Sequence, residues 1–113
     1  MIRIYHNPRC RKSRAGLEYL QEKAIDFETI DYIKRGISRE EIKEILKKMD
    51  TPPSNLVRTQ EDYYKKELKG KNIPDDEWII ILAENPRLIQ RPIIVTEHKA
   101  VLGQPPENID NLL

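Results

Sequence analysis

The sequence predicts an α/β fold: a four-stranded mixed sheet with a helical insertion between an opening β-α-β unit and a C-terminal β-hairpin. Three observations predict it. Alternating apolar residues open the chain and give way to helical spacing, and a second short alternating run follows. Near the end, Ile93-Ile94-Val95-Thr96 forms a continuous β-branched run with a turn and a return strand behind it. Between these landmarks the apolar spacing is helical, punctuated by proline and glycine.

Each element has its own local reason. Ile2, Ile4 and His6 alternate with Arg3 and Tyr5, so the segment from Met1 reads as a short strand, closed by the turn signal Asn7-Pro8. From Ser13 onward, Leu17, Leu20 and Ala24 share one helix face. Phe27 to Tyr32 alternates again and gives the second strand. Gly36 separates it from a helix in which Ser38 and Glu41 form a capping box and Ile42, Ile45, Leu46 and Met49 line one side. Thr51-Pro52-Pro53 ends that helix. Asn55 to Leu68, with Arg58, Tyr63 and Tyr64, reads as a polar helix, and Gly70 to Pro74 as a loop.

Asp75, Asp76 and Glu77 then place acids where a helix N-terminus favours them, with Trp78, Ile81 and Leu82 as the apolar face and Asn85-Pro86 as the stop. After Arg91-Pro92 the β-branched run reads as a buried strand. His98-Lys99 is its solvent-exposed turn and Ala100-Val101-Leu102 its return strand. Gly103-Gln104-Pro105-Pro106 breaks the hairpin, and Glu107 to Leu113 is expected as a last short helix. This order is the thioredoxin-like arrangement. It predicts one domain over residues 1–113 with the helical insertion at about 38–85.

Composition narrows the function classes. A chain of 113 residues, 38% hydrophobic and 35% charged, encloses one modest core under a heavily charged surface. No apolar run approaches the roughly 18 residues of a membrane helix. No apolar stretch follows the first basic residue as a signal peptide requires. The lone cysteine, Cys10, excludes an internal disulfide framework and suggests the reducing cytoplasm. One cysteine and two histidines, His6 and His98, cannot build a structural zinc site, so no metal is expected. Net charge is only +1, which argues against nucleic-acid binding, but the first seventeen residues carry Arg3, Arg9, Arg11, Lys12 and Arg14 and no acid.

That local excess surrounds Cys10. Lying between a strand end and a helix start, Cys10 faces backbone N–H groups and the positive end of a helix dipole, and its neighbours add unit charges. These conditions lower a thiol pKa and make the thiolate a nucleophile. Spacing separates the cysteine chemistries. A phosphatase-type loop needs arginine six residues on, where this chain has Gly16. A dithiol oxidoreductase needs C-x-x-C, whereas Cys10-Arg11-Lys12-Ser13 is C-x-x-S. The chain therefore cannot resolve its own mixed disulfide, and turnover needs an outside thiol. His6, four residues before Cys10, either faces the sulfur or only finishes the strand; facing it, a protonated imidazole would stabilise the anion.

Tyr5-His6-Asn7-Pro8-Arg9-Cys10-Arg11-Lys12-Ser13-Arg14 closely resembles the active-site segment of the ArsC family, the glutaredoxin-coupled arsenate reductases and their relatives. The likeness extends to Asn85-Pro86-Arg87-Leu88-Ile89-Gln90-Arg91-Pro92-Ile93-Ile94-Val95 and to Gly103-Gln104-Pro105-Pro106-Glu107, in the family's order. The resemblance implies that the Cys10 thiolate attacks arsenate or another small oxyanion to form a covalent adduct. Glutathione then displaces it, glutaredoxin reduces the mixed disulfide and arsenite leaves. It implies glutathione as co-substrate, glutaredoxin as partner, no bound cofactor, and a monomer without membrane or nucleic-acid contacts.

By the same resemblance His6, Asn7, Ser13 and Arg14 tune or position the sulfur, and Pro92 is the family's cis-proline. Arg58 and Arg91 match two of three arginines that grip the oxyanion, as guanidinium forks must where an anion meets a thiolate. Gln104 stands where the third arginine would be, and offers a hydrogen bond without a charge. Two other functions fit the resemblance: an Spx-like regulatory protein that binds RNA polymerase, and a monothiol protein with a different glutathione-linked substrate. The Spx redox switch needs C-x-x-C, which Ser13 removes.

Overall fold

The computed structural model describes residues 2–113; Met1, which the pattern puts in the first strand, lies outside the described residues. The chain forms two compact units, Met1–Arg35 with Arg91–Leu113, and Gly36–Gln90.

The first unit holds the sheet. Strand β1 (Ile2–His6) leads into helix α1 (Arg11–Glu22), which is followed by β2 (Phe27–Asp31) and one helical turn, α2 (Tyr32–Arg35). After the second unit the chain returns as β3 (Ile93–Val95) and β4 (Ala100–Leu102). The sheet order is β2-β1-β3-β4, with β1 parallel to β2 and antiparallel to β3, and β3 antiparallel to β4. This is the thioredoxin-like sheet. The β-branched run fills its centre: Ile93, Ile94 and Val95 are all buried, as expected for a strand paired on both edges.

Ile4, Leu20, Ile94 and Ile109 form the core of this unit, with Leu17, Phe27 and Val101 packed against it. Each such side chain contributes about 1.5–3 kcal/mol on burial. Ile109 belongs to the C-terminal segment, the expected last short helix, which takes the 3-10 form over Pro106–Leu112. Proline at its first position and only seven residues leave little room for i→i+4 bonding. The segment is tied to α1 by the Tyr19 hydroxyl, which donates to Asp110 Oδ1 at 2.7 Å.

Helix α1 starts two residues earlier than the spacing predicts, with Cys10 as its N-cap residue. It also stops earlier: Ala24, expected on its apolar face, lies beyond the C-cap, exposed and with φ of 55°. Its buried face is Ser13, Gly16 and Leu20. A hydroxyl and a glycine on that face carry no apolar signal, so apolar spacing alone points to the wrong stripe.

The second unit holds α3 (Arg39–Met49) and α4 (Asp75–Glu84), which pack on each other. The Ser38–Glu41 capping box closes in both directions, with Glu41 N–H donating to Ser38 Oγ and Ser38 N–H to Glu41 Oε1, each at 3.1 Å. In α4 the buried residues are Trp78, Ile79 and Leu82, while Ile81 is half-buried.

The expected helix over Asn55–Leu68 is the main departure. Pro53–Leu56 makes a 3-10 turn, Val57 pairs with Ile89 in an isolated antiparallel bridge, and helical backbone returns only from Asp62, running into the π-helical stretch Tyr64–Leu68. Arg58 N–H donates to Leu88 C=O and Gln90 N–H to Leu56 C=O, both at 2.7 Å. A β-branched valine that can bury itself against Ile89 in a ladder outweighs the weak helix preference of polar neighbours.

Candidate functional site

The site is built where β1 ends and α1 begins. Asn7 shapes the turn: its C=O accepts from Cys10 N–H at 3.0 Å and its Oδ1 from Arg9 N–H at 3.1 Å. Asparagine suits this position because its side chain caps the backbone two residues on. Arg14 N–H then donates to Cys10 C=O at 3.0 Å, which closes the first turn of α1.

Ser13 anchors the turn from beneath. Its Oγ accepts from Asn7 N–H at 2.9 Å and lies 2.8 Å from His6 Nδ1, with all three residues buried. Burial pushes the His6 pKa below its ordinary value, against the opposing pull of Asp31, which pairs with it across the strands, and of Ser13. Arg14 adds to the lowering. A neutral imidazole at Nδ1 takes the serine hydrogen, which assigns the ring proton to Nε2. His6 thus uses its hydrogen bond on Ser13, and its shift runs against the protonated imidazole that a sulfur-facing histidine would supply. Asp31, which sequence reasoning missed, is the acid nearest this histidine in register.

The Cys10 sulfur is partly exposed. Burial alone would push its pKa up, but the Arg91 guanidinium donates a hydrogen bond to the sulfur, and the net shift is downward. The amides of Ser13 and Lys12 and the charge of Arg91 add to the lowering. Cys10 closes no cap hydrogen bond of full geometry to the helix, so these amides act mainly as oriented dipoles. Arg9, Arg11, Lys12 and Arg14 are all exposed, where solvent screens them, and none of their side-chain charges is among the causes of the shift. The charge that matters most to the sulfur comes from Arg91, eighty-one positions away in sequence.

Arg91 is brought there by the strand entry it precedes. The Arg91–Pro92 peptide is cis, Pro92 is buried, and Pro92 C=O accepts from Gly103 N–H at 2.8 Å. Two glycines make room for the proline ring. A Cβ on Gly16 would lie 2.6 Å from Pro92 Cγ, and one on Gly103 would lie 3.0 Å from the same atom and 2.5 Å from Ile94 Cδ1. Neither was singled out in the sequence for this role, although a glycine three residues after Ser13 on one helix face signals a close approach.

The Gln104–Pro105 peptide is also cis. Gln104 is exposed and its C=O accepts from Asn108 Nδ2 at 3.2 Å. The structure therefore gathers His6, Asn7, Cys10, Ser13, Arg91 and Pro92 around one strand–helix junction and its cis-proline neighbour. Arg58 belongs to the second unit, where its Nη1 pairs with Glu61 Oε2 at 3.1 Å. His98 is exposed in the β3–β4 turn. Among the described residues no group of three or more His, Cys, Asp or Glu side chains could hold a metal, and no helix is long and apolar enough to cross a membrane.

Comparison with known proteins identifies the family and supports the fold. An arsenate reductase from Neisseria meningitidis serogroup A is 37% identical over 99% of this chain and 97% of its own length. One from Haemophilus influenzae is 34% identical over 97% of each. The solved structure of an arsenate reductase from Vibrio cholerae superposes with a TM-score of 0.93 at 35% identity, covering 99% of this chain and 97% of that one. The model of the ArsC family matches residues 5–112, and with relatives at this identity over nearly its whole length the chain belongs to the ArsC family.

Proposed function

We propose that the protein is an arsenate reductase-like thiol oxidoreductase in which Cys10 is the nucleophile. The observation that carries this reading is the hydrogen bond from Arg91 to a sulfur at the N-terminus of α1 whose pKa is held down. The same guanidinium that stabilises the thiolate is the natural clamp for an arriving oxyanion. The Cys10 thiolate attacks arsenic(V), a sulfur–arsenic bond forms, and an oxygen leaves as water after protonation. A glutathione thiolate then attacks the Cys10 sulfur. The sulfur–arsenic pair stays on arsenic, arsenite departs as arsenic(III), and Cys10 is left in a mixed disulfide with glutathione. A glutaredoxin thiolate removes the glutathione and regenerates Cys10. The cycle needs thiols kept reduced, which goes with a cytoplasmic location.

Gln104 contributes a neutral donor in place of a third charge on the oxyanion, and the difference is worth about 1–3 kcal/mol, or roughly 5- to 150-fold in rate. The test is arsenate-dependent NADPH consumption with glutathione, glutaredoxin and glutathione reductase present. Activity is expected in the wild type, none in Cys10→Ser, and more in Gln104→Arg; an Arg58→Ala arm reads the role the family resemblance gives that residue. Silence from both the wild type and Gln104→Arg would sink arsenate as the substrate.

A further inference from the structure

We infer that the exposed cationic collar formed by Arg9, Arg11 and Lys12 is the docking surface for an acidic protein thiol, the partner that resolves the Cys10 mixed disulfide. The inference rests on the thiol-exchange half of the function proposed above and adds the chemistry of the partner.

Four observations carry it. First, Arg9, Arg11 and Lys12 flank Cys10 on both sides in the chain and all are exposed, while the sulfur between them is itself partly exposed. Second, they make no ion pair among the described residues, although the chain has 19 acids available; Lys23, Lys48 and Arg58 each have one. Third, the segment is one-signed: the first seventeen residues hold five of the 20 cations and no acid, which leaves the rest of the chain net negative. Fourth, the collar is not what activates the sulfur, because Arg91 and the amides of Ser13 and Lys12 account for the lowering.

Exposed like charges that neither pair internally nor tune the nucleophile cost some self-repulsion, and a partner of opposite sign is what turns that cost into association. The position says which partner. Ser13 stands where a resolving cysteine would be, so the Cys10–glutathione disulfide must be opened by a thiol from outside. Arg9 and Arg11 are the chain neighbours of Cys10 and Lys12 follows them, so a macromolecule that brings a sulfur to Cys10 comes close to all three. The incoming thiolate attacks the glutathione sulfur, the disulfide breaks, and Cys10 leaves as a thiolate, which its lowered pKa favours. A thiol set among carboxylates is attracted along that path, and one set among lysines is repelled.

The experiment makes the mixed disulfide directly, by treating the full-length protein with oxidised glutathione, so arsenate plays no part. Three five-residue peptides serve as probes, each with one cysteine flanked by aspartates, by serines or by lysines. Release of the Cys10 thiol is followed by mass spectrometry, and each rate is divided by that peptide's rate with an uncharged disulfide, oxidised 2-mercaptoethanol, which cancels intrinsic thiol reactivity without adding a charge preference of its own. The aspartate peptide is expected to exceed the lysine peptide by about tenfold or more at low salt. The ratio should fall towards unity near 1 M salt, where the Debye length is about 3 Å, and should invert in the triple variant Arg9→Glu/Arg11→Glu/Lys12→Glu. Equal normalised rates for all three peptides, or a triple variant that keeps the preference for aspartate, would overturn the docking surface and leave monothiol exchange standing. Failure of the mixed disulfide to form, or to be opened by any peptide, would overturn both.

Discussion

His6 Nδ1 lies 2.8 Å from Ser13 Oγ, and both groups are buried beneath the turn that presents Cys10. The serine takes the place of a resolving cysteine, but here its hydroxyl is a structural hub, since it also accepts from Asn7 N–H at 2.9 Å. Ser13→Ala would leave a buried amide and a buried imidazole nitrogen without their partner. The expected cost is about 1–3 kcal/mol, read as a lower urea midpoint at unchanged slope. A loss below about 0.5 kcal/mol, the range of ordinary surface changes, would mean that the hub does not hold the turn.

The thiol of Cys10 should titrate below the reference value of about 8.5, and Arg91→Ala should raise it, because the largest lowering contribution is that guanidinium's hydrogen bond. The pH profile of iodoacetamide alkylation measures both. The linkage has a definite sign. A depressed folded pKa contributes stability that is fully present above the unfolded value and is lost as pH falls through the folded one. The wild type should therefore gain on Cys10→Ser as pH rises towards about 8.5. A thiol that alkylates like free cysteine contradicts the site as described.

His6 gives a second window with the same slope. Its pKa is lowered by burial, so below about pH 6.5 the unfolded chain takes up a proton that the folded chain resists. Folding stability should fall as the medium is acidified from about 7.5 through about 5.5, and the imidazole NMR shift should titrate below the reference value. If the His6 signal titrates above it, the neutral, serine-bonded imidazole is the wrong assignment.

Gly16 sets the clearance between α1 and the cis-proline. In Gly16→Ala the new Cβ would stand 2.6 Å from Pro92 Cγ, well inside contact distance, so helix and strand entry must move apart. Overpacking of this kind costs about 1–3 kcal/mol. Because Pro92 follows Arg91, the displacement should also raise the Cys10 alkylation pKa, which a purely structural cavity change elsewhere would not do. An unchanged melting temperature and an unchanged alkylation profile together would show that the contact relaxes freely.

Much of this protein is legible in the order of its residues. Strand alternation, the Ser38–Glu41 box, the Asp75–Glu77 helix start and the β-branched run each act through neighbours a few residues apart, so β1, β2, α3, α4 and the hairpin follow from sequence alone. So does the placing of Cys10 at a strand–helix junction. The segment around Arg58 is not legible in this way, because Val57 pairs with a residue thirty-two positions on, and no local propensity reports that partner. The source of the sulfur's activation is hidden for the same reason. The sequence puts four cations beside Cys10, and charge near a thiol suggests that they activate it. Those cations face water and are screened, whereas Arg91, distant in sequence, is delivered to the sulfur by the strand it precedes. Sequence by itself determined that the lone thiol stands at the turn between β1 and α1. Only the tertiary structure decided which charge the thiolate feels, because electrostatic strength depends on distance and exposure, and the fold sets both.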